Sequence, residues 1–284
     1  MHKKNNVLTL AVSVSLMFIT LLNNSITVQA SNNSPVKTIG SSNVSTQYTG
    51  LSLSILGDSI STFNDYIYSD YNIFYPNSGA IPMVEGTWWH QVLTFTGMEL
   101  GSNASSSNTN VTGNSLAADG SAPGCSFRRI MDLKKADGSS PDIIIIYMGV
   151  NDFARDIPVG NFQTPSVQSE GVPSTFSNAY ELMLQKIKIL YPNASIYCCT
   201  LFARDPGLRE PKTNIPVNRN GNTITDFNKQ IRSIATAYGA HIIDVYNCGI
   251  TYDNLSVFTS DGVHPNLPGA QLLANCITSA LLNS

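Results

Sequence analysis

"PDIIIIYMGV", residues 141–150, sets four isoleucines in a row between a proline and a glycine. Side chains alternate along a strand, so this run is apolar on both faces, as in a parallel strand covered on both sides. Three more strand-length apolar runs lie on either side of it: "LSLSIL" at 51–56, "ASIYCCTL" at 194–201 and "AHIIDVY" at 240–246. Between and after them, residues 87–97, 126–135, 174–192, 224–239 and 267–283 read as helices. In the third of these, Phe176, Tyr180, Leu184 and Ile187 recur at helical spacing and Pro192 closes the segment. Strand then helix, repeated, predicts an open α/β three-layer sandwich: a central parallel sheet with helices on both faces. Such sheets place their sites beyond the carboxyl ends of the strands.

Three short polar motifs stand there. The run 51–56 leads into Gly57-Asp58-Ser59, the isoleucine run into Gly149-Val150-Asn151-Asp152, and "TSDGVHPN" brings Asp261 and His264 just before the last helix. Each has a bland reading by itself, as helix cap, turn or loop. Together they contain the parts of an acyl-transfer site. A serine is a weak nucleophile unless an imidazole within about 3 Å takes its proton, a part open to His264. Asp261 is placed to orient the other ring nitrogen across the short Asp-x-x-His loop. The Asn151 amide and the Ser59 backbone N–H, at a helix N-terminus, are candidate oxyanion donors, and one such donor is worth about 3 kcal/mol.

In these motifs the chain resembles the SGNH (GDSL-type) hydrolases, whose blocks run Gly-Asp-Ser, Gly-x-Asn-Asp and Asp-x-x-His in this order. The resemblance extends from about Leu51 to the end. It implies a flavodoxin-like fold and hydrolysis of esters or related acyl bonds without a metal or other cofactor. Ser59 is then nucleophile, His264 base, Asp261 orienter and Asn151 oxyanion donor. The chain departs from the family where a glycine after the second strand supplies a third donor through its backbone N–H. Here the sequence is "GSNASSSNTNVTG", with Asn108 at the glycine position in one register and Ser107 as the other candidate. Asparagine is the commonest substitute where the glycine is needed for a positive φ. If no side chain fits there, Asn108 crowds the acyl pocket.

The rest of the chain bounds the setting. Residues 1–30 carry Lys3 and Lys4, an apolar run from Val7 to Leu22 and a Val-Gln-Ala end, the pattern of a secretory signal peptide cleaved after Ala30. The rival reading is a retained anchor, but the run falls short of the roughly 20 residues a spanning helix needs. Residues 31–50, rich in Ser, Asn and Thr, read as a flexible tether, and 51–284 as the catalytic domain. The chain has 284 residues, 42% of them hydrophobic, enough for a sizeable core. Cleavage would leave 14 basic against 19 acidic residues, which favours neither nucleic acid nor anionic lipid as a partner. Five cysteines leave at least one unpaired, Cys198 and Cys199 read as buried thiols, and no Cys/His cluster has zinc-ligand spacing.

Two segments bear on the substrate. Residues 61–89 are dense in aromatics, and Trp88 and Trp89 are expected either to wall a pocket for a sugar face or to pack in the core. The polar run 202–222, with Arg204, Arg209, Lys212 and Arg219, is long for a plain connection and suits a lid or substrate-binding loop. Three functions stay open: a secreted serine esterase acting on carbohydrate-linked or other small acyl esters; a lipase, lysophospholipase or thioesterase; and a non-catalytic carbohydrate-binding protein with a weakened site.

Overall fold

In a computed structural model that describes residues 47–119 and 121–284, each of the four apolar runs contains a strand. The segment expected as a signal peptide, 1–30, and most of the expected tether, 31–50, lie outside the described residues. Ordered packing already begins at Tyr48, whose buried ring donates its hydroxyl to the Leu281 carbonyl at 2.6 Å.

Among the described residues five strands form one parallel sheet: β1 (Ser52–Gly57), β2 (Glu99–Asn103), β3 (Ile143–Tyr147), β4 (Ser195–Cys199) and β5 (His241–Ile243), in the order β2-β1-β3-β4-β5. This is the flavodoxin-like order. The isoleucine strand is buried at every position. The strand without an apolar run, β2, is an edge strand that starts exposed and ends buried, so one polar sequence satisfies it.

Helices α1 (Trp88–Thr96), α2 (Phe127–Met131), α3 (Val150–Ala154), α4 (Phe176–Leu190), α5 (Ile224–Ala237), α6 (Leu255–Phe258) and α7 (Leu267–Leu282) connect and follow the strands. Their starts are set by local chemistry. Thr87, Ser126, Thr175 and Asn266 each accept a hydrogen bond from a backbone N–H of the first turn, and Thr223 with Asp226 forms a capping box. Right-handed crossovers put α1, which leads leftward from β1 to β2, on one face and the rightward connections on the other. The packing agrees, α1 lying against α7, and α4 against α2 and α5. No helix among the described residues is long and apolar enough to cross a membrane.

The direction of winding reverses between β1 and β3, the switch point where sites form in such sheets. Gly57 and Tyr147, the last residues of these two strands, are paired in register, so Ser59 and Asn151 leave the sheet side by side.

Trp88 and Trp89 are core residues, which corrects their assignment as substrate-binding. They are 1% and 0% exposed. Trp88 donates Nε1–H to Ser61 Oγ at 3.2 Å and meets the Tyr147 ring edge-on, while Trp89 lies against Tyr66. The first turn of α1 is buried against Tyr147, Ser61 and Tyr66, and that burial outweighs any role at a pocket wall. The cysteines are all free thiols, with Cys125, Cys198 and Cys199 buried.

Gly57 is required by space. A Cβ there would lie 2.6 Å from Ser105 Oγ and 2.7 Å from the Ser61 side chain, both in buried segments. Gly57→Ala is therefore expected to lower the free energy of unfolding by about 1–3 kcal/mol, the usual cost of overpacking. Urea titration reads this as a lower midpoint, and an unchanged midpoint would show that the β1 end has room to yield.

Candidate active site

Ser59 opens a single turn of 3-10 helix, Ser59–Ser61, capped by Asp58, whose carboxylate accepts from the Ile60 N–H at 3.1 Å. The turn is too short to carry much of a dipole, so the expected helix N-terminus is here only a free backbone N–H at Ser59. The serine is 4% exposed. Its Oγ lies 2.8 Å from His264 Nε2, and His264 Nδ1 lies 2.7 Å from Asp261 Oδ2. The other Asp261 oxygen accepts from the N–H groups of Val263 and His264, at 3.0 and 2.8 Å, which folds the acid back onto the ring. Residues 205 positions apart thus form one hydrogen-bonded relay.

A second path closes this relay into a ring. Thr62 Oγ1 donates to the Ser59 carbonyl at 3.0 Å and accepts from the Phe74 N–H at 2.9 Å. The Phe74 ring stacks on the His264 imidazole with centroids 3.5 Å apart and planes 15° from parallel. Next to it, Tyr75 donates its hydroxyl to the Pro265 carbonyl at 2.7 Å. The aromatic segment therefore serves the site through Phe74 and Tyr75, which hold the histidine loop. The aromatic density of the segment marked it, but nothing local singled out Phe74, because its partner lies at the far end of the chain.

Asn151 sits in the first turn of α3, after Gly149, whose φ of 129° suits glycine. One of its amide hydrogens is committed to the Thr109 carbonyl at 2.9 Å, which leaves the other available. Asp152, fully buried, accepts the N–H groups of Val111 and Thr112 at 2.7 and 2.9 Å and so fixes the same loop.

That loop holds Asn108 at φ 61°, in the left-handed region. Its side chain is exposed and engages Arg155, which also donates to the Asn108 carbonyl at 2.9 Å. The asparagine therefore meets the backbone requirement and points away, so the crowding considered from sequence does not arise. The Ser107 N–H is committed to the Asn72 carbonyl at 2.7 Å, which leaves Asn108 as the available donor of the two.

Electrostatics shape the histidine. Burial lowers the His264 pKa, the Asp261 carboxylate opposes this, and the Arg204 guanidinium adds to the lowering; the net result is below the usual 6.5. Burial raises Asp261, but the His264 N–H and ring outweigh it and leave the carboxyl below its ordinary value. Arg204, missed as a site residue in the sequence, is half-buried and donates to the Val150 carbonyl at 3.1 Å. Of the other basic residues of 202–222, Arg209 pairs with Asp205, Arg219 with Asp156, and Lys212 is exposed. No group of acidic, histidine or cysteine side chains among the described residues has the arrangement of a metal site.

The arrangement can deprotonate a serine hydroxyl, hold the resulting imidazolium against a carboxylate, and present up to three N–H groups to an oxyanion. Known proteins bear on what this means. The GDSL-like lipase/acylhydrolase family matches in sequence over residues 51–204. A solved structure from Bacteroides ovatus described as a GDSL-like lipase is 25% identical, covers 83% of this chain and 100% of its own, and superposes with a TM-score of 0.59. One from Bacteroides uniformis, described in the same way, is 24% identical over 83% of this chain and 97% of its own, also at 0.59. A lipase/acylhydrolase from Enterococcus faecalis shares 19% identity, covering 82% and 96%, at 0.50. No functionally curated protein matches.

If Arg204 helps to hold His264 neutral, Arg204→Gln should raise the imidazole pKa. NMR titration of the His264 ring protons measures this directly. An unchanged or lower value would mean that burial alone sets the shift.

Proposed function

The chain belongs to the GDSL-like lipase/acylhydrolase family and is an ester hydrolase, and from this premise we propose a serine esterase in which Ser59, His264 and Asp261 act as nucleophile, base and orienter. The observation that carries the assignment is the relay itself: Ser59 Oγ to His264 Nε2 at 2.8 Å and His264 Nδ1 to Asp261 at 2.7 Å. His264 Nε2 takes the Ser59 proton as Oγ attacks the ester carbonyl, and the Asp261 carboxylate stabilises the imidazolium. The Ser59 N–H, the Asn108 N–H and the free Asn151 amide hydrogen receive the oxyanion. His264 then protonates the departing alcohol, and a water activated by the same nitrogen releases the acid from Ser59.

The substrate we assign is a short acyl group, such as acetyl, on a carbohydrate. Its support is the polar character of the surroundings: the Arg204 guanidinium lies near enough to act on His264, and the aromatic ring on the relay, Phe74, is stacked on the imidazole. A long acyl chain would meet little there to bury it. The basic start, apolar run and Val-Gln-Ala end of residues 1–30 support export to the outside of the cell.

The test uses protein recovered from the culture medium, its N-terminus expected at Ser31. It should hydrolyse aryl acetate faster than aryl esters of long acids, and Ser59→Ala should abolish this, a loss of about 10⁴-fold or more by analogy with other relays of this kind. Activity surviving Ser59→Ala would remove the nucleophile assignment, and a preference for long chains would replace the esterase by a lipase. The pH profile follows from His264, which is active when neutral. Because its pKa lies below 6.5, kcat/KM should stay high at neutral pH and fall only as the solution becomes more acidic than that value.

Asn108→Gly keeps the left-handed backbone and its N–H, so turnover should change less than about threefold, well under 1 kcal/mol. Asn108→Val, branched at Cβ, strains the positive φ and should lower kcat at little cost in KM. Equal activity of the two variants would show that this N–H takes no part.

A further inference from the structure

A cavity of about 410 Å³ lies over the ends of β4 and β5, to one side of the relay. Its walls come from the 202–222 segment, with Asp205 and Arg209, from Thr223 and Thr225 at the start of α5, and from the turns after β5, with Tyr246, Tyr252 and Asp253. The volume falls within the roughly 300–1,000 Å³ of small-molecule sites. At about 4.8 Å between strands, β4 and β5 stand about 10 and 14 Å from β1, whose end leads into the Ser59 turn. The cavity thus shares the carboxyl edge of the sheet with the relay without containing any of its residues.

The lining is chemically specific. Arg209 is tied to Asp205 through both terminal nitrogens, so its charge is already matched. Among the described residues the Asp253 carboxylate makes no hydrogen bond or ion pair, and the Tyr246 and Tyr252 hydroxyls have no hydrogen-bond partner. An anionic ligand would meet the unmatched carboxylate, and an acyl chain would cover Asp253 and the two phenol hydroxyls without offering them a partner. What fits is a ligand with apolar ring faces for two aromatic rings and many hydroxyls for the carboxylate and phenols, which is the chemistry of pyranose units.

The wall is built as a fixed arm. Arg209 and Pro216 pair as an antiparallel bridge, with Glu210 N–H to the Ile215 carbonyl at 2.9 Å and Val217 N–H to the Leu208 carbonyl at 3.1 Å. At its two ends Arg204 donates to the Val150 carbonyl and buried Asn218 to the Phe153 carbonyl, at 3.1 and 3.2 Å. Both carbonyls belong to α3, the helix that carries Asn151. The long connection is therefore a wall fastened to the candidate oxyanion helix.

We propose that this cavity is a glycan subsite, holding sugar units of the substrate two or more residues away from the one that bears the scissile ester. The inference rests on the carbohydrate-esterase reading above and goes further by giving the leaving group a place and a minimum length. It predicts that O-acetylated oligosaccharides are better substrates than acetylated monosaccharides of the same sugar.

The experiment measures kcat/KM for acetylated xylo-, manno- and chito-oligosaccharides, each as monomer and tetramer, with aryl acetate as internal reference. The wild-type tetramer-to-monomer ratio should be about tenfold or more for at least one sugar, which corresponds to about 1.4 kcal/mol. Tyr252→Ala should bring that ratio close to one. Asp253→Ala, at an exposed position where folding is not at risk, should lower it in the same direction. Equal rates for monomers and tetramers of all three sugars, with the acetates hydrolysed, would overturn the subsite and leave the esterase standing. A length preference untouched by both variants would overturn its location. Hydrolysis of aryl acetate alone, with no acetylated sugar accepted, would overturn the carbohydrate reading and the subsite together.

Discussion

A single guanidinium, that of Arg129, holds the floor of the site. It is completely buried, and its nitrogens reach the carbonyls of Gly57, Ala104 and Ala122 and the hydroxyl of Thr109, with the Tyr71 ring 5.1 Å from its centre. Those acceptors end β1, follow β2 and begin the approach to α2, so one side chain joins the backbone beneath Ser59 to the loop that carries Asn108. Burial lowers its pKa to about 10, and it remains charged at neutral pH. A charge in that position is tolerable only because carbonyl dipoles surround it, and breaking such an arrangement costs about 3–5 kcal/mol. The loops around the relay are thereby fixed relative to each other before any substrate arrives.

Two of the buried carboxyl groups, Asp58 and Asp152, lie in the motifs of the site. Burial raises Asp58 to about 7, against the pull of the Ile60 N–H, Arg129 and Arg204, and Asp152 to about 6. A carboxyl whose folded pKa exceeds its unfolded value of 3.8 binds more protons folded than unfolded. Its contribution to stability is therefore present below about pH 4 and is lost as the pH rises through 6 to 7. The fold gives up some stability at neutral pH to keep these groups under the site, an arrangement common where preorganisation matters more than the depth of the energy minimum.

Most of the architecture was legible because the sheet is buried on both faces. Runs such as Ile143–Ile146 have no other stable home, and the three motifs fall where the winding reverses. The edge strand β2 gave no such signal, since half-exposed Glu99–Asn103 has no apolar run to show. Ser59, Asn151, Asp261 and His264 could be found because each belongs to a short spaced motif. Phe74, Arg129 and Arg204 could not, because each acts on a partner distant in sequence and has no fixed spacing to it. Trp88 and Trp89 misled for the opposite reason: large aromatics next to a site are as useful to a core as to a ligand, and only the facing of α1 decides between them.

Asn108 shows what the loop after β2 asks of its sequence. With φ at 61° and the side chain turned outward to Arg155, the position constrains a dihedral angle and a backbone hydrogen, and it places no demand on the identity of the residue beyond access to the left-handed region. A search pattern written around glycine at this point would pass over chains built like this one. The boundary of the group then follows torsional freedom rather than the spelling of a signature.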